Sequence, residues 1–103
     1  MTNERHSTAN NSSNDRDKMC TILSALADPV RLSIVEQLAE KGELPVGAIS
    51  SPHAITAPAI SRHLRVLESA GVIERRIDRQ WRICSLQKPT IQNVVNWAQR
   101  LID

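Results

Sequence analysis

The chain has 103 residues, of which 41% are hydrophobic, with no Tyr or Phe and a formal net charge of +2 at pH 7. That length allows one domain with a modest aliphatic core. No stretch is apolar enough for a membrane span or a secretory signal, so a soluble, cytoplasmic protein is expected. Cys20 and Cys84 are too few and too far apart for a disulfide scaffold or a zinc-knuckle spacing. No nucleophile–base pair, phosphate-cradling glycine loop or carboxylate pair points to an enzyme.

Residues 1–17 contain no Val, Ile, Leu or aromatic side chain. They cannot bury enough apolar surface to offset their ordering entropy, and are expected to form a disordered tail ahead of a folded unit spanning 18–103. Met19, Ile22, Leu23 and Leu26 recur at helical spacing, predicting a first helix from Lys18 to Ala27. Asp28-Pro29 ends it and begins a second, from Pro29 to Glu40, with Asp28 as N-cap and Gly42 as the stop. Leu44-Pro45 reads as a turn into a brief helix, Val46 to Ser50, and the run through His53 reads as a further turn that leaves that histidine facing solvent. Thr56 is the expected N-cap of a longer helix reaching Ala70, with Ile60, Leu64 and Leu67 inward and Gly71 closing it. The period then changes to two over Val72–Ile77 and Trp81–Leu86, a hairpin turning at Asp78-Arg79-Gln80. A last helix follows from Lys88 to Ile102.

Charge is unevenly placed along this layout. Residues 56–82 carry six Arg against Glu68, Glu74 and Asp78, while residues 1–17 and 18–55 are each net acidic by one. The order of elements is that of a winged helix-turn-helix, mainly α with a small β-hairpin, in which the second helix of the pair enters the DNA major groove. At about 100° per residue, Arg62, Arg65 and Ser69 project opposite the inward line, with Ala59 and Ser61 on the flanks. Arg pairs bidentately with guanine, and small residues such as Ala57 and Ala59 permit close approach. Thr56 is placed to hold a phosphate at the helix start. From the wing, Arg79 and Gln80 at the tip are candidate contacts, with Arg76 and Arg82 as further ones; His63 is either a contact or a hydrogen-bonded support for the helix.

The segments ALADPVRLSIVEQLAEKGELPVGAIS (25–50) and TAPAISRHLRVLESAGVIERRIDRQWRICSL (56–86) resemble the ArsR/SmtB family of bacterial repressors. The resemblance implies a homodimer packed through the first and last helices, with Ile22, Leu23, Ile91, Val94, Val95, Ala98 and Leu101 at the interface. It also implies repression at the protein's own or a neighbouring promoter through a double-stranded DNA operator. Two departures bear on sensing. The arsenic- and cadmium-type thiolate motif is replaced by Leu44-Pro45-Val46-Gly47-Ala48, and the last helix presents Gln92, Asn93, Asn96 and Gln99 where zinc- and nickel-type members carry ligands. Neutral amides are poor ligands for either class of ion, so no metal and no cofactor is expected, and the effector is not legible. Two other readings stand beside the leading one: a winged-helix module that contacts protein rather than DNA, and a repressor switched by oxidation of Cys20 and Cys84.

Overall fold

The computed structural model describes residues 2–52 and 54–103, with side chains from Asn14 onward; His53 lies outside the described residues. Five helices and three strands follow in the order α1 (Thr2–Leu26), α2 (Pro29–Lys41), β1 (Leu44–Pro45), α3 (Val46–Ser50), α4 (Ala57–Ser69), β2 (Ile73–Asp78), β3 (Trp81–Leu86) and α5 (Lys88–Ile102).

The boundaries have local causes. Asp28 is extended, and its Oδ2 accepts the N–H of Val30 at 2.9 Å and of Arg31 at 3.1 Å, satisfying two donors that open α2; Pro29 takes the first turn. Gly42 ends α2 at φ +80°, where its N–H reaches Leu38 O at 2.9 Å. Thr56 caps α4 in the same manner as Asp28 caps α2, its Oγ1 accepting from Ala59 N–H at 3.3 Å. Gly71, at φ +76°, turns the chain out of α4 toward the sheet. There Thr90 Oγ1 donates to Gly71 O at 2.6 Å and Gln87 N–H to Val72 O at 2.8 Å, so α5 is pinned to the exit of α4.

One core serves all the elements. Ile22 and Ala25 from α1, Ile34 and Leu38 from α2, Ile49 from α3, Ile60, Leu64 and Leu67 from α4, and Val72, Ile73 and Cys84 from the sheet region are all buried. The sheet order is β1-β3-β2, antiparallel throughout, with Ile73 opposite Leu86 and Asp78 opposite Trp81.

Four sequence expectations are corrected. The first helix runs from Thr2 rather than Lys18: no Pro or Gly interrupts the polar segment, and extending a helix already nucleated by packing costs little. Leu44-Pro45, expected as a turn, is a two-residue strand opposite Cys84 and Ile83; at an edge, Pro45 loses nothing by lacking an N–H. The wing turn comprises only Arg79 and Gln80, because Asp78 pairs with Trp81 inside the ribbon. Ile22, expected at a dimer face, is 8% exposed and belongs to the protomer core.

Leu64 is fully buried on α4 while Val66, two residues on, is 41% exposed. Leu64→Ala is therefore expected to lower the urea-unfolding free energy by about 2–5 kcal/mol through the cavity it leaves. Val66→Ala should stay within about 0.5 kcal/mol of wild type in the same measurement.

Candidate nucleic-acid interface

Helix α4 is divided lengthwise. Ile60, Leu64 and Leu67 are at most 1% exposed, and Ser61, Arg62 and Arg65 on the other side are open to solvent. Three or four residues separate the buried positions, so packing of that stripe turns the cationic face outward. Ala57 and Thr56 are exposed at its start and Ala59 is half-buried beside them. The Thr56 oxygen is used in the cap, while its hydroxyl proton has no acceptor among the described residues.

The six arginines of residues 56–82 sort into two groups. Arg75 is held by Glu68 of α4, its Nη2 donating at 2.9 Å and its Nε at 3.1 Å. Arg76 is bound to Glu43 and lies 3.7 Å from Asp78, which pushes its already high pKa further up. Arg62, Arg65, Arg79 and Arg82 make no ion pair among the described residues. Four guanidinium groups are thus available to an outside anion.

Strand alternation places the wing side chains. Arg75 meets α4 through Glu68, and Ile77 and Arg82, cross-strand partners two positions further along, share that face. Arg76, Asp78 and Trp81 lie on the other face, so Arg76, named beside Arg79 as a candidate contact, is turned away and internally paired. At the tip, Arg79 has φ +60°, the only described non-glycine residue in the left-handed region. Ile77 and Trp81 stand 76% and 55% exposed beside it.

His63 is half-buried at the junction of three helices. Its Nδ1 is 3.2 Å from Arg31 Nη1 and 3.9 Å from Asp28 Oδ2. Sequence reasoning placed His63 near this role but missed Arg31, although the Asp-Pro-x-Arg spacing at 28–31 was visible and sets Arg31 one turn from its cap. The N–H of Arg31 holds the Asp28 carboxyl below its ordinary value, against the opposing effect of burial and with help from the Arg31 charge. The folded-state carboxyl thus ionises more readily than in the unfolded chain, so the cap stabilises at neutral pH and that contribution is lost on acidification through the carboxylate range.

The cysteines differ in kind. Cys20 is exposed on α1, whereas Cys84 is fully buried and burial pushes its thiol pKa up, with Glu68 adding to this and Arg75 opposing it. Oxidation proceeds through the thiolate, so Cys84 has the environment of an inert core thiol. Among the described residues there is no cluster of three or more His, Cys, Asp or Glu placed to hold a metal ion, and no helix is long and apolar enough to cross a membrane.

A helix-turn-helix domain model matches residues 26–76. The chain is 32% identical over 85 residues to the transcriptional repressor SdpR of Bacillus subtilis, spanning 82% of this chain and 93% of that one. This chain belongs to the ArsR/SmtB family of winged helix-turn-helix regulators. A second ArsR/SmtB relative, the arsenical resistance operon repressor of Escherichia coli, is 34% identical over 82 residues, covering 80% of this chain and 67% of that one. The crystal structure of an ArsR family transcriptional regulator superposes with a TM-score of 0.78 at 26% identity, covering 84% of this chain and 88% of the other.

The left-handed backbone at Arg79 generates a prediction about the wing itself. An L-residue with a Cβ is strained there by about 1–2 kcal/mol, part of which glycine relieves. Arg79→Gly should accordingly unfold at higher urea than Arg79→Ala, by roughly 1 kcal/mol, although both lose the same guanidinium.

Proposed function

We propose that the chain is a homodimeric transcriptional repressor that binds a double-stranded DNA operator at its own or a neighbouring promoter, with α4 in the major groove. The observation that carries this reading is the face of α4 bearing Ser61, Arg62 and Arg65, which is turned outward by the buried stripe and has no internal ion-pair partner among the described residues. Arg62 and Arg65 read base edges, Ala57, Ala59 and Ser61 allow close approach, and Thr56 donates its free proton to a phosphate. Arg79, Gln80 and Arg82 of the wing reach the adjoining backbone or minor groove, while Arg76 stays with Glu43.

The dimer in this proposal forms through α1 and α5. No residue of α5 is fully buried in the protomer, and Val95 and Leu101 are 51% and 68% exposed. Leu23 of α1 and Trp97 of α5 line a groove of about 730 Å³ between the two helices. A second copy packed against α1 and the apolar side of α5 would cover Leu23, Val95, Ala98 and Leu101, with Ile91 and Val94 bridging to the core beneath. Two α4 helices related by that symmetry would address half-sites about one helical turn apart. In this proposal the DNA-binding and dimerisation unit spans 18–103; just ahead of it, Asn14 to Asp17 are all exposed. A cytoplasmic location follows from this role.

Two measurements test the reading. Electrophoretic mobility shift on the chain's own promoter duplex should show affinity falling steeply with salt, because phosphate contacts release counterions. Arg62→Ala or Arg65→Ala should cost about 1–3 kcal/mol of binding and relax sequence preference, and Thr56→Ala should weaken all duplexes alike. Arg75→Ala, which removes a guanidinium already held by Glu68, should change affinity least among the arginine variants. Salt-insensitive binding, or equal effects of Arg62→Ala and Arg75→Ala, would sink the proposal. For the dimer, Leu101→Glu should yield monomers in sedimentation equilibrium, since a carboxylate would lie in the covered apolar face.

A further inference from the structure

Arg31 sits on α2, remote from the outward face of α4, yet its guanidinium joins three helices. Nε donates to Ala25 O at 2.6 Å and Nη2 to Ser24 O at 3.4 Å, both carbonyls in the last turn of α1. Nη1 points at Nδ1 of His63, 3.2 Å away on α4. A guanidinium has donors only, so Nδ1 must be the acceptor, and the ring proton must then sit on Nε2 of a neutral imidazole.

Among the described residues, the charged groups within ion-pair distance of this ring are Arg31 on α2 and Asp28 at its cap, and α1 meets Arg31 with backbone carbonyls alone. Asp28 Oδ2 is 3.9 Å from Nδ1 and is already committed to the N–H groups of Val30 and Arg31. A protonated Nδ1 would lose its hydrogen bond to Arg31, face a like charge across 3.2 Å, and have only the capping oxygen to turn to. His63 stands between Arg62 and Leu64, so a shift of the ring acts directly on the helix that carries the exposed arginines.

We propose that Arg31 and His63 are positioning residues for operator binding: with His63 neutral, Arg31 locks α1 and α2 to α4, and protonation of His63 at Nδ1 opens that joint and lowers operator affinity. The inference rests on the reading of α4 as the DNA-binding helix. Acidification on its own makes a protein more cationic and favours phosphate binding, so the predicted direction is opposite to the general charge effect.

The test is operator affinity of the full chain from pH 8 to pH 5.5 at fixed ionic strength, by fluorescence anisotropy on a labelled duplex of its own promoter. Wild type should weaken at least about fivefold on acidification relative to His63→Asn, whose Oδ1 keeps an acceptor at the reach of Nδ1 without a titrating proton. Arg31→Lys, which keeps the charge and loses the three-way fork, should bind about tenfold more weakly at pH 8 with unchanged circular dichroism, and its pH profile should flatten. A measurement on wild type alone guards against misfolded variants. By linkage, the midpoint of the His63 ring titration in NMR should move to lower pH when saturating operator is added. Superimposable profiles of wild type and His63→Asn, or a ring titration that is unmoved or moves upward on DNA, would overturn the positioning role and leave the DNA-binding reading intact. Failure of wild type to bind the duplex at any pH would overturn both.

Discussion

Burial of one stripe of α4 is the constraint on which the molecule turns. Ile60, Leu64 and Leu67 are almost entirely removed from solvent, packed with Ile34 and Leu38 of α2 and with Ile73 and Cys84 of the sheet. Each such side chain contributes on the order of 1.5–3 kcal/mol of hydrophobic stabilisation. A domain of this size has a net stability of only about 5–15 kcal/mol. Rolling α4 by half a turn would exchange that stripe for Arg62 and Arg65 in the core, and uncompensated buried charge is prohibitive. The cationic face is therefore held outward by the energetics of the opposite face.

Hydrogen bonds and ion pairs refine what packing establishes. Thr56 and Gly71 set the ends of α4, and Thr90 ties α5 to its exit. Glu68 and Glu43 each engage one wing arginine, which leaves Arg79 and Arg82 for outside anions. The Arg31 fork adds a polar joint at the other side of α4, where the last carbonyls of α1 and the cap of α2 meet His63. Exposed ion pairs of this kind contribute little to stability, and their importance here lies in which cations they withdraw from the surface.

The family relationship and the physical reading agree on the fold but carry different weight for sensing. The thiolate motif and the His and acidic ligands of the metal-responsive members have no counterpart in Leu44–Ala48 or in α5, and the described residues hold no cluster to replace them. Buried Cys84 and exposed Cys20 sit in unlike environments, which gives no basis for treating the two thiols as one reactive unit.

Periodicity in the sequence alone determined the two central features: the inward line of α4, because a helix places every third or fourth residue on one side, and the change to a period of two at the wing. Caps at Asp28 and Thr56 and stops at Gly42 and Gly71 were legible because each rests on local backbone chemistry. Tertiary structure decided the rest, for reasons no local window contains. The pairing of Leu44-Pro45 with β3 joins residues about 40 positions apart, which is why a turn was expected there. Ile22 belongs to the core rather than a dimer face because Ile22 and Leu23 are neighbours on one apolar side of α1, and only the packing around them decides which is covered within the protomer. Which of the six arginines stay available depended on where Glu43 and Glu68 came to rest. The same holds for the helix first marked by Thr56: sequence assigned its outward residues, and the fold alone brought Arg31 to His63 beneath them.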